Sequence, residues 1–224
     1  MKWDKITYYN FIKKQNVIGF YEKPIKLKSG RLSYWYVNWR PITSDAFLLD
    51  QLTEYILAFV NDLGLKPKCY YGVPEGATKL GLITQFKWAK SNENFRSEMY
   101  PLAMGRGKKK DHGVPKDRFF LGVPYGDTII LEDVTTTGGS LIDSIRKLRE
   151  FNINIIAAIG LTNRNEKRDD GKSVEQKMSE EDISYYAMSN AIDLLPQLNI
   201  NKEIAENIEE YFKKYGTQEI SLNN

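Results

Sequence analysis

Apolar residues recur along this chain with two periods, helical and strand-like, and the two kinds of stretch alternate. Ile6, Tyr9, Phe11 and Ile12 stand among lysines over residues 3–15 and predict a weakly amphipathic first helix, which Gly19 ends or follows. Two β-prone runs, 24–28 and 32–38, flank Ser29-Gly30-Arg31 and read as a hairpin. Thr43-Ser44-Asp45 offers an N-cap, after which Phe47, Leu48, Leu52, Ile56, Phe59, Val60 and Leu63 recur at helical spacing until Gly64. Residues 67–73 read as a first buried strand, Pro74-Glu75-Gly76-Ala77 as a turn, and 78–90 as a helix.

The second half continues the alternation. Aromatic and apolar residues over 95–104 predict a second strand, and 105–113 form a glycine-punctuated, cationic surface loop. Residues 127–131 are a strand feeding a polar loop, with a helix over 141–151 leaving it. The nearly continuous apolar run 153–162 suits a parallel strand buried on both faces. A charged loop or exposed helix (167–181), a short strand (183–188), a short helix (190–195) and an amphipathic helix (203–215) follow. The fold class is therefore α/β, a mostly parallel central sheet flanked by helices. Residues 1–42 form an N-terminal helix and hood hairpin, 43–215 the α/β core, and 216–224 a tail expected to fray.

Composition narrows this further. A chain of 224 residues with 42% hydrophobic content can bury one sizeable core. Its net charge of +3 is too weak an imbalance to indicate a nucleic-acid partner. Cys69 is the single cysteine, so no internal disulfide can form, and no Cys/His cluster suggests zinc. No apolar segment follows the charged N-terminus and none approaches bilayer-spanning length, so the expectation is a soluble cytoplasmic protein without a membrane partner.

The chemistry concentrates in the stretch from Thr128 to Ser140, where Glu132 and Asp133 end a strand and Thr135, Thr136, Thr137, Gly138, Gly139 and Ser140 lead into a helix. Such a loop gathers backbone N–H groups at the positive end of a helix dipole, and its glycines let a ligand approach closely. A phosphate monoester fits there, while the two acids can accept hydrogen bonds from vicinal sugar hydroxyls. No lysine follows the glycines as in a Walker A loop, and GxGxxG spacing is absent. The alternative is an ordinary βα turn with polar residues at a helix N-cap. The acid pair and threonine-rich loop resemble the phosphoribosyl-diphosphate (PRPP) signature of type I phosphoribosyltransferases, which implies that family's fold.

Three further segments resemble orotate phosphoribosyltransferases. Leu27-Lys28-Ser29-Gly30-Arg31 with Ser33 and Asn38 is similar to their N-terminal segment, implying that Lys28, Tyr36 and Val37 cover the pyrimidine, with Val37 in place of a second aromatic. Residues 105–113 resemble their mobile catalytic loop: Arg106, Lys110 and His112 match, Gly107 replaces a lysine, and Lys108 or Lys109 could supply the missing charge. Arg164, just past the run 153–162, matches the arginine that holds the orotate carboxylate. In the turn after the first strand, Glu75 and Gly76 stand where backbone N–H groups meet the diphosphate; many orotate enzymes carry an aromatic residue and a lysine there. Glu75 opposes a diphosphate unless Mg²⁺ or lysines lie between.

The resemblance implies Mg²⁺-dependent transfer of phosphoribose from PRPP to orotate. Glu132 and Asp133 orient the ribose, residues 136–140 anchor the 5′-phosphate, and Thr136 also touches the base. Arg106, Lys110 and His112 neutralise departing pyrophosphate, with the loop reaching a neighbouring subunit's site in a homodimer. The sequence supplies no metal-ligand cluster of its own. Two other readings stay open: a phosphoribosyltransferase for another base, and a non-catalytic PRPP-binding regulator.

Overall fold

The structure is a computed structural model and describes residues 1–222. In chain order its elements are α1 (Lys5–Lys14), β1 (Ile18–Lys26), β2 (Leu32–Val37), α2 (Arg40–Thr43), α3 (Ala46–Asp62), β3 (Cys69–Gly72) and α4 (Thr78–Lys90). There follow α5 (Pro115–Phe119), β4 (Thr128–Thr135), α6 (Gly139–Glu150), β5 (Ile155–Asn163), α7 (Val174–Glu180), β6 (Tyr185–Ala187), α8 (Ala191–Leu194) and α9 (Lys202–Tyr215). The strands β3-β4-β5-β6 form a parallel four-stranded sheet in that order, and β1-β2 is a separate antiparallel hairpin.

Strand alternation divides the apolar residues between the two faces of the sheet. Tyr70, Ile129, Leu131, Ala157, Ile159 and Leu161 face a large core shared with α1, β2, α3 and α9. Cys69, Tyr71, Ile130 and Ala158 face a second core closed by α6 and α7. Both faces are covered, which is why β4 and β5 read as unbroken apolar runs. On α3, Leu52 and Ile56 are fully buried, each contributing about 2 kcal/mol over an exposed position. Its start is fixed by Asp45, whose side chain accepts from Leu48 N at 2.9 Å. Helix α4 lies backbone-to-backbone on β3, since a Cβ on Gly81 would fall 2.2 Å from Gly72 N. That contact fixes the turn between the two elements.

Three expectations need correction. No strand spans 95–104: β3 pairs directly with β4, and the end of the segment makes only isolated backbone contacts, Met104 with Leu121 and Gly122 beside the single bridge Gly105↔Phe120. Its side chains explain this, for Phe95, Met99 and Leu102 are exposed and Ala103 is buried, so neither alternation nor a continuous apolar face exists. The hairpin's first strand begins at Ile18, ahead of the Pro24 inferred from β propensity. Lastly, the tail is held as far as Leu222: Gly216 bridges Glu166, Leu222 is buried, and Leu222 N donates to Glu209 Oε1 at 2.7 Å. The predicted tail residues 223 and 224 lie outside the described residues.

Candidate active site

A cavity of about 500 Å³ opens at the C-terminal ends of β3, β4 and β5, under the hood hairpin. Parallel α/β sheets bind ligands at this end, because there the loops and helix N-termini converge. Four segments line it: the hairpin with its exit (Lys28, Tyr36, Val37, Asn38, Arg40), the turn after β3 (Glu75, Gly76), the end of β4 with the loop beyond, and Arg164 after β5.

The loop after β4 is shaped for an anion. Gly138 adopts φ 69°, a left-handed conformation that disfavours side chains, and starts α6 without a side-chain cap. The turn Pro74-Glu75-Gly76-Ala77 likewise leads into α4 with no side chain capping it. The other helices of seven residues or more, α1, α3, α7 and α9, are capped by Asp4, Asp45, Ser173 and Asn201. Among helices of this length, the two that begin at the cavity are thus the two without a side-chain cap. At α4 the first N–H, that of Thr78, is taken by the Glu75 carbonyl, so the turn itself, at Glu75 and Gly76, faces the cavity. Lys28 Nζ lies 2.9 Å from Ser140 Oγ, tying the hood to this loop, and Arg168 donates to the carbonyl of Thr137 from behind.

Glu132 and Asp133 point their carboxyl groups into the same space. Burial, then the neighbouring Asp133, pushes the Glu132 carboxyl up to about 8, against hydrogen bonding by Thr135 Oγ1 at 3.4 Å. Burial also raises Asp133, while N–H groups of residues 133 and 134 and the charge of Arg40 pull it down. Asp133 presses on the turn after β3: a Cβ on Gly76 would meet its Oδ2 at 2.6 Å.

Arg164 forms the floor, 2% exposed. Its guanidinium stacks 3.6 Å above the Trp35 ring. Nε donates to Glu166 Oε1 at 2.6 Å, Nη2 to Ser33 Oγ at 3.1 Å and Nη1 to the Trp35 carbonyl at 3.4 Å. A guanidinium has five N–H bonds, so two are left for a ligand. Glu166 also accepts from Arg31 Nη1 at 3.0 Å, while the second acid on Arg31, Asp169, is fully in solvent. Two guanidiniums therefore share one buried carboxylate, and this corner favours a further anion.

The structure brings together Lys28, Tyr36, Val37, Glu75, Gly76, Glu132, Asp133, Thr136, Thr137, Gly138, Gly139, Ser140 and Arg164. Thr135 stands behind the wall, bonded to Glu132. Arg106, Lys108, Lys109, Lys110 and His112 do not line this cavity. Arg106 Nε bonds the carbonyl of Asp117 at 3.0 Å and Lys109 lies over the Phe119 ring. The loop touches the site through two of its glycines: a Cβ on Gly107 would fall 2.2 Å from Glu75 Oε1, and one on Gly105 2.7 Å from Pro74 Cγ. The sequence reading missed Arg40 and Asp143, which also line the cavity. Nothing in the local pattern around Arg40 distinguishes it from a solvated cation.

An acid pair closing a parallel strand, a left-handed glycine and an uncapped helix define a type I phosphoribosyltransferase, and the shape agrees. The orotate phosphoribosyltransferase of Francisella tularensis superposes with a TM-score of 0.66 at 22% identity, over 94% of this chain and 99% of that one. By sequence, the orotate phosphoribosyltransferase of Rhodopseudomonas palustris is 33% identical over 156 residues, 63% of this chain and 74% of the relative. That of Marinobacter nauticus is 28% identical over 211 residues, covering 92% of this chain and 95% of its own. The chain matches no protein-family model. It belongs to the orotate phosphoribosyltransferase family.

Proposed function

We propose that this protein transfers the 5-phosphoribosyl group of PRPP to N1 of orotate, forming orotidine 5′-monophosphate and pyrophosphate in pyrimidine biosynthesis. One observation carries the reading: three anion-receiving points surround a single cavity. They are the uncapped start of α6, the uncapped turn into α4, and the buried Arg164 corner. PRPP and orotate together bring three anionic groups, a 5′-phosphate, a diphosphate and a carboxylate. The acid pair lies among the three points, where the ribose would sit.

Breaking the anomeric C–O bond leaves positive charge on the ribose and negative charge on the leaving pyrophosphate. Glu132 and Asp133 accept hydrogen bonds from the ribose hydroxyls and stabilise the cationic ring. Residues 136–140 fix the 5′-phosphate, so that binding remote from the reacting carbon holds it in line. Orotate is held by the two spare N–H bonds of Arg164, with Lys28, Tyr36 and Val37 forming the hood side of its pocket. Val37 is buried and presents an aliphatic wall.

The donors also suit Mg²⁺. The carboxylates of Glu132 and Asp133 are hard oxygen ligands at the wall, and among the described residues no group of three or more His, Cys, Asp or Glu forms a metal cage. Such a cation fits one carried in by the substrate's own oxygens and neutralising the diphosphate.

The remaining groups come from a second copy. Arg106, Lys110 and His112 lie away from their own chain's cavity, which supports a homodimer whose loops cross and meet the partner's leaving pyrophosphate, with Lys108 or Lys109 adding charge. We assign the protein to the cytoplasm, with a free buried Cys69 and no described helix long and apolar enough to cross a membrane.

Pyrophosphate release from PRPP, measured with orotate, uracil, adenine and hypoxanthine, tests the acceptor. Orotate alone should support turnover. Release with a purine and none with orotate, or PRPP binding with no turnover on any base, would overturn the assignment. Arg164→Lys should raise KM for orotate roughly a hundredfold while changing KM for PRPP little, because a lysine keeps the charge and loses the fork. Equal effects on the two constants would remove Arg164 from the orotate subsite.

A further inference from the structure

At the diphosphate end of the cavity the turn after β3 brings none of the positive charge that such a ligand needs. Four acids line the cavity, Glu75, Glu132, Asp133 and Asp143, against three cations, Lys28, Arg40 and Arg164. Lys28 is hydrogen-bonded to Ser140 at the phosphate loop, and Arg164 is tied to Glu166, Ser33 and Trp35. The turn after β3 contributes Glu75, which repels a diphosphate. Nor can position 76 carry a basic side chain as the structure stands, because its Cβ would lie 2.6 and 2.8 Å from the two oxygens of Asp133.

Arg40 is the remaining cation. It is the first residue of α2, held there by its backbone N–H, which donates to Asn38 Oδ1 at 3.2 Å. Its side chain is exposed on the cavity wall, and among the described residues its guanidinium makes no hydrogen bond or ion pair. Its charge acts on Asp133, the residue that also abuts Gly76, so Arg40, Asp133 and the turn share one end of the cavity.

Resting on the PRPP reading above, we infer that Arg40 is the chain's own ligand for the diphosphate of PRPP, supplying from the hood the positive charge that the turn after β3 does not carry. A planar guanidinium suits this task, since it can grip two phosphate oxygens at once. Acting from within the chain, it binds the diphosphate before any loop from a second subunit closes.

The test is calorimetric titration of wild type, Arg40→Ala and Arg40→Lys with two separate probes, inorganic pyrophosphate and ribose 5-phosphate, in magnesium buffer. Loss of a charge-assisted contact should weaken pyrophosphate binding at least tenfold, roughly, in Arg40→Ala and less in Arg40→Lys. Ribose 5-phosphate binding should stay within about twofold in both, because its phosphate sits at the start of α6. In steady state KM for PRPP should rise while KM for orotate holds. Unchanged pyrophosphate binding, or equal weakening of the two probes, would overturn the inference. A fall in Tm that accompanies loss of both probes counts as equal weakening. Wild-type turnover on the base panel is scored separately: if orotate is not an acceptor the functional reading fails, whatever Arg40 does to the pyrophosphate constant.

Discussion

Lys110→Ala and Asp133→Asn, each nearly inactive alone, should recover about a quarter of wild-type turnover when the two chains are co-assembled at equal concentration. Lys110 does not line its own chain's cavity, whereas Asp133 does. If the loop crosses a two-fold axis, a mixed dimer has one site with both defects and one with neither. Random pairing makes half of the dimers mixed, and each has one working site of two, giving the figure of roughly one quarter. For the single variants, Lys110→Ala should lower turnover far more than PRPP affinity, because its charge is needed when pyrophosphate departs. The measurement is orotate consumption after subunit exchange. Recovery absent despite proven mixing would show that each loop serves its own cavity, and full recovery would be too much for one site in two.

How much of this was written in the sequence follows from which residues carry a local signal. The loop from Glu132 to Ser140 did, because an acid pair, hydroxyls and glycines between a β run and a helical run require nothing distant to be interpreted. So did β4, β5 and α3, whose periodicity records which faces are covered. The 95–104 segment misled, since aromatic content is a β signal only where the side chains alternate onto a covered face, and Phe95, Met99 and Leu102 are all exposed. Position 166 was unreadable for a different reason: Glu166 looks like one more acid in a polar loop, and its burial between Arg31 and Arg164 depends on a hairpin more than a hundred residues away. Arg40 and the uncapped state of α4 were hidden likewise, because what matters about them is the missing partner, and partners are set by tertiary structure.

The same site should cost the protein stability, most of all at alkaline pH. Glu132 is buried beside Asp133 and titrates at about 8, against an ordinary value of 4.5. A carboxyl whose folded pKa is raised binds more protons folded than unfolded between those two values. Its contribution to stability is therefore fully present below pH 4.5 and is lost as pH rises through about 8. Glu132→Gln keeps the shape, stays neutral and removes that loss. Compared with wild type, the ligand-free variant should melt at a similar temperature at pH 5.5 and higher by about 5 °C at pH 8.5, which is what ~2 kcal/mol does in a domain of this size. Its turnover should fall at least a hundredfold, roughly, since the lost carboxylate faces the ribose cation. Scanning calorimetry at the two pH values decides the matter: a Tm difference independent of pH would mean that the gain, if any, comes from packing. Lost activity joined to a pH-dependent gain in stability would identify Glu132 as a charge held in the core for its reaction, with PRPP, magnesium and the ribose hydroxyls as the partners that complete it.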